Sequence, residues 1–95
     1  MSYVVYADDN FHHMDESERV KIGEFDTEVE SLEKCKEVVD KYLVEYAPKF
    51  QTADELYDSY TSYGDDPFII GPTKVEFSAW EYAKEQCKKL YEDNQ

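Results

Sequence analysis

Three segments of this chain each open with a hydroxyl residue that is followed three positions later by a glutamate. These pairs are Thr27 with Glu30, Thr52 with Glu55, and Ser78 with Glu81. The spacing is that of the capping box, in which the hydroxyl accepts a hydrogen bond from a backbone N–H of the first helical turn. Because each pair precedes a run with helical periodicity, the sequence predicts three helices that begin within about two residues of these positions.

Apolar residues recur at helical spacing inside the three segments. The helices are predicted over residues 28–46, where Pro48 ends the first, over 53–63 and over 79–92. Gly64 is expected to end the second helix in the left-handed conformation that glycine tolerates. Cys35 lies on the inward stripe of the first helix. The residues expected in the core are Val5, Ile22, Leu32, Val39, Leu43, Ile69, Trp80, Ala83, Cys87 and Leu90.

Three short runs outside these segments predict strands. Residues 3–7 (YVVYA) are β-branched and aromatic, residues 19–25 (RVKIGEF) alternate, and residues 67–70 (PFII) form an apolar run. Residues 74–77 are expected to extend the last strand or pair with it. Gly23 suggests a bulge in the second strand.

The order of elements is β-β-α-α-β-α, which favours a single α+β domain over residues 1–95. We expect a small, mainly antiparallel sheet with helices one and three packed on one face. An aromatic content of 16% favours a folded domain, since acidic disordered segments are poor in aromatic residues.

The charge balance limits the classes of partner that the protein is expected to bind. Asp and Glu number 23 against 10 Lys and Arg, which gives a net charge of −13. Such a surface repels nucleic acid and anionic membrane and attracts basic proteins and cations. We therefore expect a basic protein partner, without direct binding to nucleic acid or membrane. The sequence leaves the oligomeric state open.

The chain shows no targeting or membrane-spanning signal. No apolar run approaches the roughly 18 residues that a membrane span needs. The first residues, MSYVVYADD, lack the basic region of a signal peptide. A cytoplasmic protein with reduced thiols at Cys35 and Cys87 is expected.

Three stretches, YADDNFHHMDESERVKIGEFDT, ELYDSYTSYGDDPFII and FSAWEYAKEQC, together resemble a group of short acidic bacterial proteins of uncharacterised function. The resemblance covers most of the chain and implies that the chain is one complete unit. It brings no activity, ligand or site residue with it.

Residues 8–18 (DDNFHHMDESE) have no hydrophobic period and predict a loop between the first two strands. The loop places His12 and His13 near carboxylates, and these groups together suit borderline divalent metals. An EF-hand register from Asp8 fails, because position six is not Gly and Arg19 stands where the final Glu belongs. We interpret the segment as a solvated acidic loop and predict no metal or cofactor.

The case for catalysis is also weak in the sequence. A histidine beside a carboxylate can act as a base, but no nucleophile is paired with His12 or His13. Cys35 and Cys87 lie on inward stripes, where a thiol behaves as a small hydrophobe. There is no glycine-rich phosphate loop. The sequence therefore predicts a protein that is not an enzyme.

The unneutralised charge is concentrated in residues 8–18 and 52–66, which hold five carboxylates each and no Lys or Arg. Tyr57, Tyr60 and Tyr63 recur at helical spacing in the second stretch. Such a stripe is typical of a core edge and also of an interface. The candidate partner-binding residues are Asp8, Asp9, Asp15, Glu16, Asp54, Tyr57, Asp58, Tyr60, Asp65 and Asp66.

Three functional hypotheses follow. The first is a non-enzymatic acidic interaction domain that binds a basic partner protein by mimicking nucleic acid. The second is a small housekeeping domain whose acidity only keeps it soluble, and which binds an unknown ligand or partner through its sheet. The third is a metal- or histidine-dependent activity at the 8–18 loop. Acidic residues clustered on one face would favour the first hypothesis.

Overall fold

A computed structural model describes residues 2–10 and 19–92 of the chain. Its elements are β1 (Tyr3–Asp9), β2 (Val20–Phe25), α1 (Glu28–Tyr46), a short 3-10 helix (Ala47–Lys49), α2 (Ala53–Tyr63), β3 (Asp65–Ile70) and α3 (Ala79–Glu92). The predicted α+β class and the order β-β-α-α-β-α are confirmed. His12, His13, Asp15 and Glu16 lie outside the described residues.

The helices begin where the capping boxes predict. The Thr27 and Thr52 hydroxyls each accept a hydrogen bond at 3.2 Å from the backbone N–H of the glutamate three residues on. The same hydroxyls donate to the carboxylates of those glutamates. The Ser78 hydroxyl accepts from the backbone N–H three residues on at 3.3 Å. The three predicted helix starts are therefore confirmed.

The sheet has the strand order β2-β1-β3, and both pairings are antiparallel. Helix α1 packs across all three strands, over the face that carries the buried Val5 and Ala7. Between β1 and β2 the register shifts, because Val5 lies opposite Gly23 while Tyr6 lies opposite Lys21. The bulge predicted beside Gly23 is present.

The main core lies between the three helices. Helices α2 and α3 pack on each other and on α1, and α3 also contacts β3. The buried core cluster consists of Val39, Leu43, Leu56, Tyr60, Ala79, Ala83 and Cys87. Val5 and Cys35 are also buried as predicted, whereas Ile22, Leu32, Ile69 and Leu90 are only half-buried.

The prediction that Trp80 lies in the core was wrong. Its side chain is 39% exposed, because the inward stripe of α3 is formed by Ala79, Ala83 and Cys87 at intervals of four residues. The small Ala79 lets the helix approach the core closely, and the indole next to it lies at the core's edge. There the Trp80 indole N–H donates to Asn10 Oδ1 at 3.3 Å.

Three local predictions were also wrong. Gly64 is extended, with φ −77° and ψ 179°, because the chain passes from α2 directly into β3. Asp8 and Asp9 belong to β1 and not to a loop. Residues 74–77 form no strand, so β3 remains an edge strand of the sheet described here.

Candidate protein-interaction surface

Four of the candidate aspartates meet at one end of the sheet. In the β1–β3 pairing, Asp8 lies opposite Asp66 and Asp9 lies opposite Asp65. We call these four residues the aspartate ladder. Because successive side chains of a strand point to opposite faces, Asp8 and Asp66 share the open face of the sheet, and Asp9 and Asp65 share the face that α1 covers.

Within the aspartate ladder, the environment of Asp65 is unfavourable for its charged form. Like charges directly opposite one another on neighbouring strands destabilise a sheet. Burial, together with the negative charge of Asp9, raises the pKa of Asp65. At Asp8 the charge is met by Arg19, whose Nε donates to Oδ1 at 2.8 Å and whose Nη2 donates to Oδ2 at 3.2 Å. The charge of Asp65 thus lowers the stability of the fold, whereas the charge of Asp8 is compensated by Arg19.

We expect Asp65→Asn to raise the melting temperature at neutral pH, and to raise it less as the pH falls. The folded pKa of Asp65 is raised above the ordinary value of 3.8. The penalty of the charged form is therefore present above the folded pKa and is lost as the pH falls through it towards 3.8. Thermal melts at about pH 7 and about pH 4 measure the difference between variant and wild type.

Asp58→Asn, on the exposed side of α2, is the matched control for this prediction because it removes the same charge outside the ladder. If Asp58→Asn gives the same gain as Asp65→Asn, the effect belongs to the net charge. A gain that is equal at both pH values would also contradict the prediction.

The other candidate aspartates lie apart from the aspartate ladder. Asp54 and Asp58 are exposed on α2, one turn from each other. Since a helix rises 1.5 Å per residue, Asp54 lies roughly 13 Å along the axis from the end of α2 that leads into β3. The predicted acidic face is therefore divided into an α2 pair and the aspartate ladder.

Tyr60 cannot be a partner-binding residue, and that prediction was wrong. It is fully buried, and its hydroxyl donates to the Asp65 carbonyl oxygen at 2.6 Å. It follows Leu56 by four residues on the inward stripe of α2. Tyr57 is half-buried against the core, whereas Tyr63 is 64% exposed. Tyr63, beside the aspartate ladder, is therefore the accessible tyrosine of this stripe.

The open face of the sheet carries an aromatic pair that the sequence analysis did not single out. Tyr6 lies opposite Phe68 in the β1–β3 register, and the two rings stack with their centroids 5.8 Å apart. The Arg19 guanidinium carbon lies 4.8 Å from the centroid of the Phe68 ring. The alternation of Tyr6 and Asp8 with the buried Val5 and Ala7 is the signal that could have placed them on this face.

A groove runs beside the outer edge of β3. It has a volume of about 480 Å³, and its lining includes Asp66 and Phe68 on one side and Phe77 and Trp80 on the other. Asp66 and Phe68 also belong to the open face, so the groove and that face are continuous. The partly exposed indole of Trp80 borders this surface.

The cysteines are unsuited to nucleophilic work. Cys35 and Cys87 are both buried free thiols. Burial raises the pKa of each to about 11, with the charge of Asp66 adding to the effect at Cys35. Within residues 2–10 and 19–92, no three His, Cys, Asp or Glu side chains are grouped so that they could hold a metal ion. The histidines proposed for metal or catalytic work fall outside these ranges.

Comparison of the chain with models of protein families, with curated proteins and with solved structures found no match. None of the helices in the described part of the chain combines the length and apolar character needed to cross a membrane. The support for a function therefore comes from the charges and contacts of the surface.

Proposed function

We propose that the protein is a non-enzymatic cytoplasmic interaction domain whose acidic surface binds a basic partner protein. The domain occupies a nucleic-acid-binding surface of that partner by charge mimicry. The observation that carries the proposal is the aspartate ladder, in which two adjacent cross-strand positions are both filled by facing carboxylates. The net charge of −13 extends the attraction for a basic partner beyond the ladder itself.

The spacing of the ladder supports mimicry of a phosphate backbone. Its four residues are one step apart along the strands and one strand apart across them, about 3.4 Å by about 4.8 Å. Duplex DNA carries one negative charge per about 1.7 Å of its axis. Each face at this end of the sheet therefore presents two carboxylate residues about 4.8 Å apart, and such close negative charges can attract the basic groups that otherwise bind nucleic acid.

Immobilised protein is expected to capture basic nucleic-acid-binding proteins from a native lysate at low salt, and duplex DNA should release them. Capture should fall steeply towards physiological salt, where charges are screened beyond about 8 Å. The double variant Asp65→Lys with Asp66→Lys should capture much less. The measurement is the amount of each captured protein, identified by mass spectrometry, before and after addition of DNA.

The matched control is Glu33→Lys with Glu85→Lys, which makes the same change in net charge at exposed positions of α1 and α3. It should keep most of the capture, because its charges lie outside the ladder. Melting temperatures of both double variants show whether the fold persists. If the Asp65 and Asp66 variant captures the same proteins as wild type at low salt, the acidity serves only solubility.

The second hypothesis, a domain that binds an unknown small ligand or partner through its sheet and whose acidity only keeps it soluble, has one observation in its favour. The stacked pair of Tyr6 and Phe68 lies on the sheet face opposite α1. Binding through the sheet should persist in the variant Asp65→Lys with Asp66→Lys, and duplex DNA should not compete with it. The experiment above therefore separates the two functions.

A further inference from the structure

We propose that the open sheet face contains a binding site for an arginine side chain of the basic partner, and that Arg19 occupies this site in the isolated chain. The proposal rests on the proposed function and names the side chain that is recognised. The site consists of Asp8, Phe68 and the stacked Tyr6, which we call the guanidinium cradle.

The contacts of Arg19 show what the guanidinium cradle binds. Two guanidinium nitrogens of Arg19 donate to the two carboxylate oxygens of Asp8, at 2.8 Å and 3.2 Å. The guanidinium carbon lies 4.8 Å from the centroid of the Phe68 ring. A paired donation to one carboxylate combined with contact to an aromatic ring suits the flat guanidinium fork and not the compact ammonium of lysine.

The walls of the guanidinium cradle are held independently of Arg19. Phe68 is fixed by its stacking on Tyr6 and by the β1–β3 pairing, and Asp8 is fixed in the same ladder opposite Asp66. Arg19 itself precedes β2 and lies outside the strands. The site therefore persists when the Arg19 side chain leaves it.

Exchange of one arginine for another does not require unfolding. The side chains of Arg19 and Asp8 are 33% and 29% exposed, so an incoming guanidinium can reach the same carboxylate and ring. While Arg19 occupies the guanidinium cradle, a partner binds only the fraction of molecules in which the site is open, and its apparent affinity falls by that fraction. Arg19 thus acts as an internal competitor.

The groove beside β3 adds a second requirement for the partner. It begins at Asp66 and Phe68, next to the guanidinium cradle, and ends at the partly exposed Trp80. Aromatic walls there suit an apolar side chain, while Asp66 and Asp8 favour a segment with positively charged side chains. The occupant is therefore an extended basic segment in which an arginine is followed by an apolar residue.

Two matched synthetic peptides test the proposal, one with arginines and a leucine and the other with lysines at the same positions. Binding is followed by the fluorescence of Trp80, the one tryptophan in the sequence, and by calorimetry. Wild type should prefer the arginine peptide. Arg19→Ala should raise the affinity for the arginine peptide by roughly three- to tenfold. The reason is that the peptide no longer has to displace the exposed ion pair of Arg19 with Asp8 and its cation–π contact with Phe68.

Three further variants separate this effect from a general change in charge. Lys88→Ala removes a positive charge from the exposed side of α3, outside the guanidinium cradle. Arg19→Lys keeps the charge but loses the fork, so it should still raise the affinity for the arginine peptide. Phe68→Leu should reduce the preference for arginine over lysine while both peptides still bind, because the paired donation to Asp8 remains.

The proposal is overturned if Arg19→Ala and Lys88→Ala raise the affinities for both peptides by the same factor, because the effect is then only one of net charge. In that case the proposed function is unaffected. Failure of both peptides to bind wild type and Arg19→Ala would also overturn the guanidinium cradle, and the lysate experiment would decide the proposed function separately. Circular dichroism of each variant establishes that it is folded.

Discussion

Leu43→Ala is expected to lower the free energy of unfolding by about 2–5 kcal/mol, the range for large-to-small changes in a close-packed core. Leu43 is 1% exposed and belongs to the cluster at which α1, α2 and α3 meet. Removing its branched end leaves a cavity that three mutually packed helices cannot all close. Equilibrium unfolding in urea, analysed at constant slope, measures the loss.

Val44→Ala is the control for this prediction because it is the next residue of the same helix and Val44 is 64% exposed. Its effect should stay within about 0.5 kcal/mol. Equal effects of the two substitutions would show that the core does not lie on the Leu43 side of α1.

Gly64→Ala is expected to lower the free energy of unfolding by about 1–3 kcal/mol, as overpacking does. A Cβ at this position would lie 2.5 Å from Tyr60 Cδ1 and 2.8 Å from the Tyr60 carbonyl oxygen. The ring is buried and its hydroxyl is bonded to the Asp65 carbonyl oxygen, while the Tyr60 carbonyl oxygen accepts from the Gly64 N–H and the Asn10 side chain. These contacts hold the Tyr60 ring and the Tyr60 carbonyl oxygen in place, so neither can move away from the added Cβ.

Gly23→Ala provides the comparison, since its Cβ would lie 3.3 Å from the far end of the half-buried Phe25 ring, which can shift. Chemical unfolding of both variants gives the two losses. If Gly64→Ala is tolerated as well as Gly23→Ala, the close approach of Gly64 to Tyr60 does not constrain the fold.

The helices could be predicted from the sequence because their signals are local. The caps at Thr27 and Thr52 act over three residues, and the apolar stripe of α1 is complete within that helix. The boundaries of all three helices accordingly agree with the sequence analysis. The end of α2 at Gly64 was also predicted, but the left-handed backbone was not found, and glycine fits this position because a Cβ would meet Tyr60.

The candidate surface depended on contacts between distant parts of the chain, and here the sequence was less informative. Asp8 and Asp66 both lie in stretches of sequence without Lys or Arg, but only the β1–β3 register makes them face each other. The same register brings Phe68 beneath Arg19. Helical spacing alone could not show that Tyr60 turns inward while Tyr63 stays exposed, because neighbouring helices decide which part of a stripe they cover.

Asn10 is the point at which β1, α2 and α3 are tied together. Its backbone N–H donates to the Gly64 carbonyl oxygen at 2.9 Å, and its Nδ2 donates to the Tyr60 carbonyl oxygen at the same distance. Its Oδ1 accepts from the Trp80 indole. In this acid-rich chain, the position after Asp8 and Asp9 is therefore closed to a third aspartate, which could not make the Nδ2 donation.

Because of this requirement, a chemical change at Asn10 would have a structural consequence. Deamidation, the slow hydrolysis that turns asparagine into aspartate, would replace the donating Nδ2 of Asn10 with an oxygen facing the Tyr60 carbonyl oxygen. The Tyr60 carbonyl oxygen would keep the Gly64 N–H but lose its second donor, and a buried carboxylate would face it, which is costly. One lost amide nitrogen would thus loosen the junction between the sheet and the helices, in a chain that accepts aspartate at so many other positions.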